Sequence, residues 1–157
     1  MDGKAHFIGG IMASIIIWIV IWVINHNFSP IGCLVAVLFG GLFALFPDTD
    51  LKLHMGHRHP LTHSAIIPGF ILIMMSIAAM YARADVLASE KQSIIFIYNF
   101  TISFAVYFSA AVASHLLLDF LQGDVVKLSK LQSQIFLLSN GIGLIMASIF
   151  IGVLLLI

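Results

Sequence analysis

The chain has 157 residues, 61% hydrophobic and 9% charged, with seven Lys+Arg balancing seven Asp+Glu and a mean hydropathy of +1.12. A soluble domain carries roughly 25% charged residues, so the composition excludes an ordinary water-soluble protein and points to an integral membrane protein. Zero net charge offers no basic field for nucleic acid, and a lone cysteine, Cys33, excludes an internal disulfide or a cysteine-based zinc knuckle.

Five apolar runs follow in order, at about 7–24, 31–46, 65–81, 94–118 and 135–157. A helix needs about 20 residues to cross the hydrocarbon core. The first, fourth and fifth runs are long enough. The second is short, and the third begins beside Pro68, which the first turn of a helix tolerates. The first run exceeds a signal-peptide core and ends in NHNFSP without a small-residue cleavage site, so a retained helix is expected. Unbroken apolarity argues against the alternating strands of a membrane β-barrel. The expected fold is all-α: a polytopic membrane helical bundle of about five transmembrane helices, one domain over 1–157, with a metal site at one membrane face.

Five crossings put the termini on opposite faces. Lys4, Lys52, Arg58, Lys127 and Lys130 then share one face with loops 47–64 and 120–134, while Arg83 and Lys91 fall in loop 82–93 on the other. The positive-inside rule places the N-terminus in the cytoplasm.

The polar residues of this apolar chain are not scattered. His6 precedes the first run, and Asp48 and Asp50 follow the second. His57 and His63 precede the third, and His115 and Asp119 end the fourth. All seven fall at the same membrane face. Ionisable groups at apolar helix ends are costly unless paired or metal-bound. His115 and Asp119, at i and i+4, share one helix face. The Pro47-Asp48-Thr49-Asp50 turn can aim two carboxylates into one space, and a divalent cation would offset the repulsion among three carboxylates. Mixed His and Asp ligands without sulfur suit Zn²⁺, Mn²⁺ or Fe²⁺, spacing alone does not choose among them, and seven candidates allow more than one ion. Arg58 is a candidate for an anionic oxygen. Thr62 and Ser64 are expected to orient His63 or cap the third helix. Asn25 and His26 look like ordinary interfacial groups on the far face.

Four segments together, AHFIGG with His6, LFPDTD, HRHPLTHS and SHLLLDF, resemble the YdjM-like (DUF457) family of bacterial inner-membrane metal-dependent hydrolases. Laid on this chain, the family pattern selects Asp48, Asp50, His57, Arg58, Thr62, His63, Ser64, His115 and Asp119. Three residues separate Arg58 from Thr62, where two are common, and the chain departs from the family after Asp119. The family is distantly similar to zinc-dependent phospholipase C and the P1-type nucleases. The resemblance implies a phosphoester hydrolase of the bacterial inner membrane. Asp48 or Asp50 would be ligand and base, and Arg58 would stabilise phosphoryl charge. A site at the headgroup boundary ranks membrane lipid and lipid-linked phosphoesters above soluble nucleotides. The class weighed against this is a non-catalytic or transporting metal site, and paired histidines around haem form a third option.

Overall fold

A computed structural model describes residues 3–26, 29–50, 62–89, 91–123, 126 and 129–156, with the side chain of Asp50 outside that set. The described residues form five helices: α1 (Gly3–Asn25), α2 (Pro30–Phe43), α3 (Ile66–Leu87), α4 (Gln92–Leu121) and α5 (Lys130–Leu155). A single 3₁₀ turn, Pro47–Asp50, follows α2. Counting that turn with α2, all five are long and apolar enough to cross a membrane.

The burial pattern is the reverse of a water-soluble helix bundle. α1 turns His6, Gly10, Ser14, Ile17 and Ile21 inward, and α5 turns in Ser133, Leu137, Gly141, Leu144, Ser148, Gly152 and Leu155, at spacings of three and four. Small residues face the neighbours while Met12, Ile16 and Phe150 are exposed. Such outward apolar surface is stable in lipid, where helices associate through close packing of small residues. α4 is the exception: from Ile102 onward nearly every residue is buried. It is the central helix, packed by the other four, with α1 also against α2 and α5, and α3 against α5.

One crossing fixes the geometry of the site. A Cβ built on Gly40 would lie 2.6 Å from the Gly10 carbonyl oxygen and 2.7 Å from Ser14 Oγ. Only glycine permits α1 and α2 to approach this closely. Gly10 lies one turn after His6, and Gly40 one turn before Ala44. The contact therefore brings the His6 imidazole and the C-terminal end of α2 to one level of the bundle.

Helix limits differ from the apolar runs where polar residues continue a helix. α3 runs past Tyr81 to Leu87, because Arg83 extends alongside α5 and its Nη1 donates to the Leu154 carbonyl at 2.7 Å. A guanidinium on a helix C-terminus satisfies a carbonyl that has no intrahelical partner. The expected loop 82–93 thus shrinks to the few residues between α3 and α4. α5 begins at Lys130, earlier than the apolar run, started by the Ser129–Gln132 capping box.

Candidate metal centre

Four chain segments deliver the site. His6 stands in the first turn of α1, on its buried stripe. The 3₁₀ turn after α2 is closed by the Thr49 amide and hydroxyl, which donate to the Phe46 carbonyl at 3.0 and 2.7 Å, and it presents Asp48. His63 lies just before α3, where Ser64 Oγ accepts from the Ile66 amide at 3.2 Å, but the N-cap position expected for Ser64 is held by Ala65, with no side-chain cap. His115 and Asp119 occupy successive turns of α4.

Their side-chain atoms converge. His115 Nε2 is 3.4 Å from Asp119 Oδ2 and 3.7 Å from Asp48 Oδ1. His63 Nε2 is 3.7 Å from Asp119 Oδ2, and His6 Nε2 is 3.7 Å from Asp119 Oδ1. His6, His63, His115 and Asp119 are all buried, whereas the Asp48 side chain keeps 35% of its surface exposed. Asp48 is the mouth of the site.

The His115 ring decides what this cluster needs. Its Nδ1–H donates to the Ala44 carbonyl oxygen at 2.7 Å. A carbonyl only accepts, so Nδ1 carries a proton, and in the neutral form of the ring Nε2 presents a lone pair. That lone pair points at two carboxylates, an arrangement that is repulsive unless a cation stands between them. A proton is the alternative cation, but charge-assisted hydrogen bonds run about 2.7–2.9 Å, and none of these contacts is that short. Both Asp119 oxygens and His115 Nε2 are buried without a hydrogen bond to any described residue. Ligand atoms about 2.0–2.1 Å from one tetrahedral ion sit roughly 3.3–3.4 Å apart. Separations of 3.4–3.7 Å match that edge far better than they match hydrogen bonds.

Two overlapping triads could hold a metal ion, His6/His115/Asp119 and Asp48/His63/His115, each with its ligand atoms within 4.8 Å of one another. His115 offers one lone pair and serves one ion. The triads therefore overlap at His115, with the carboxylate of Asp119 in one and that of Asp48 in the other. Thr62 Oγ1 lies 3.2 Å from His63 Nδ1, a contact on the outer side of the ring that holds its orientation and leaves Nε2 facing the cluster.

Of the seven ligands expected from sequence, His6, Asp48, His63, His115 and Asp119 come together. Asp50 lies on the same turn as Asp48, with its side chain outside the described residues, and His57 and Arg58 also lie outside them. Two contributors carry no motif. The Ala44 carbonyl is backbone. Asn140 accepts from the Ala65 amide at 2.8 Å while its Nδ2 donates to the Phe136 carbonyl at 2.7 Å, tying the His63 segment to α5. An asparagine inside an apolar helix is itself a signal. Asn25, read from sequence as an interfacial group, instead donates to the Val153 and Leu156 carbonyls, both at 3.2 Å, and joins the ends of α1 and α5. Comparison of the chain with protein-family models, curated proteins and solved structures returns no match.

Proposed function

We propose that this chain is a membrane-embedded, divalent-metal-dependent hydrolase of the bacterial inner membrane, acting on a lipid-linked phosphoester at the cytoplasmic face. The observation that carries the metal reading is His115: Nδ1 held by Ala44, Nε2 aimed at the carboxylates of Asp48 and Asp119. Zn²⁺ suits the mixed nitrogen and oxygen donors best, with Mn²⁺ or Fe²⁺ as substitutes. A bound divalent ion would supply an acidified water and a Lewis acid for the phosphoryl oxygen.

The chain's own groups account for the rest. His6, His63, His115 and Asp119 hold the centre out of bulk water. Asp48, alone of the five in reaching the surface, stands where a substrate enters, and it is the candidate base that takes a proton from the attacking water. Arg58 is assigned to the anionic phosphoryl oxygen, and Asp50 is the alternative to Asp48 as ligand and base. Because the ligands sit at helix ends, a headgroup can reach them while its chains remain in lipid. This location distinguishes the site from the midplane sites of transporters. The haem alternative pairs His57 or His63 with His115; the His63 and His115 rings meet edge to face with centroids 5.5 Å apart, not on opposite sides of a gap a macrocycle could fill, and His57 lies outside the described residues.

A non-catalytic metal site is the second reading, favoured by one observation: four buried ligands are enough to close a tetrahedral ion, as structural sites do. Purified protein, loaded with Zn²⁺ and assayed on a phospholipid and on a bis-aryl phosphate, separates the two. Metal-dependent hydrolysis abolished by chelator and by Asp48→Asn supports the hydrolase. Stoichiometric metal with no hydrolysis supports the structural reading. Absence of bound metal rejects both.

A further inference from the structure

A cavity of about 330 Å³ lies between the α1–α2 hairpin and α4. It is remote from the metal centre: Ser103 in its wall precedes Asp119 by sixteen positions of α4, about 24 Å at the helical rise. Its walls include Trp18, Trp22, Asn25, Asn99, Ser103 and Tyr107, and no described residue lining it is charged. Ser103 and Tyr107 are 7% and 1% exposed. Their side chains give the wall two hydroxyl groups, each able to donate to or accept from a ligand hydroxyl or carbonyl.

Three features narrow the occupant. The absence of charged lining residues disfavours an ionic headgroup, which would be desolvated without a counter-charge. The cavity holds roughly ten times the volume of one water molecule, and one side is apolar. Paired tryptophans near a helix end mark the depth where headgroups meet chains. An uncharged, hydroxylated amphiphile meets all three.

We infer that this cavity binds the hydroxyl-bearing headgroup of an uncharged membrane lipid of the monoacylglycerol class, its chain leaving past Phe96 and Phe100 into the bilayer. The site does not rest on the metal reading and is expected to persist in chelator.

Trp18 and Trp22 are the chain's two tryptophans, and both line the cavity. Tryptophan fluorescence of the full chain in phosphatidylcholine vesicles therefore reports on this place alone. Titration with brominated monoacylglycerol is expected to quench saturably, with half-effect at a mole fraction about tenfold below that of brominated phosphatidylcholine or brominated phosphatidylglycerol. Ser103→Leu, which fills the wall, and Tyr107→Phe, which keeps the ring and removes only the hydroxyl, should each raise that mole fraction about fivefold, with metal content unchanged. Identical quenching curves for the three lipids, preference for the anionic lipid, or an unshifted curve in the Tyr107→Phe protein would overturn the proposal.

Discussion

The imidazoles of His6 and His115 stack at a centroid distance of 3.8 Å with planes 22° apart, joining the first turn of α1 to the last third of α4. Two imidazolium cations at that distance in a buried site would repel strongly, so at least one ring is neutral, the form that ligates metals. Asp119 spans the pair, one oxygen towards each. In the metal-free protein this carboxylate is buried with neither oxygen hydrogen-bonded among the described residues. Asp119→Asn is therefore expected to abolish metal binding and, in chelator, to raise thermal stability above that of wild type. Zn²⁺ at 100 times its Kd should stabilise wild type by about 2.7 kcal/mol and leave the Asp119→Asn protein unmoved. Thermal unfolding with and without chelator checks both signs. A variant that keeps its zinc sinks the centre.

Thr62→Val tests the outer contact that orients His63. The substitution keeps the shape of the side chain and removes the hydroxyl 3.2 Å from His63 Nδ1. Loss of such an outer contact costs about 10–100-fold in metal affinity. Chelator competition on purified protein measures it. Unaltered affinity would mean that His63 is not a ligand.

Gly40→Leu tests whether the site depends on a helix crossing that contains no ligand. A side chain there meets the Gly10 carbonyl and Ser14, so α1 must move from α2 and carry His6 away from Asp119. The expected result is loss of at least 90% of bound zinc in protein that remains helical by circular dichroism, since overpacked contacts shift backbone before they unfold it. Gly143→Ala is the control. Nothing lies within 4 Å of a Cβ at that position of α5, and replacing an interior helical glycine should leave zinc unchanged and add about 0.5–1 kcal/mol of stability.

What was legible in the sequence follows the range over which each signal acts. The five helices were readable because apolarity sustained over about 20 residues has one use. Convergence of His6, Asp48, His63, His115 and Asp119 was readable because the parity of five crossings assigns helix ends to faces without reference to packing. Helix limits were less legible: Arg83 looks like a loop residue until the Leu154 carbonyl it meets is known. The Ala44 carbonyl could not be read at all, since a main-chain acceptor is common to every residue and only the Gly10–Gly40 crossing selects this one. Asn140 is legible in part. Its polarity within α5 was visible, but its partner, 75 residues earlier, was not.

Asn140→Leu supplies the most discriminating test of how the histidine segment is held. The Ala65 amide stands at the start of α3, where helical amides have no partner within the helix, and Asn140 Oδ1 receives it at 2.8 Å. Leucine removes that acceptor and frees the His63 segment from α5, while α5 keeps its apolar face. Zinc affinity should fall about tenfold with little change in helix content. Asn140 and Thr62 would both act through the placement of one imidazole, so their effects should not add: the double variant with Thr62→Val is expected to lose clearly less affinity than the product of the single losses. Chelator competition on the four proteins of the cycle decides it. Additive losses would mean that Asn140 stabilises α3 generally and does not position His63.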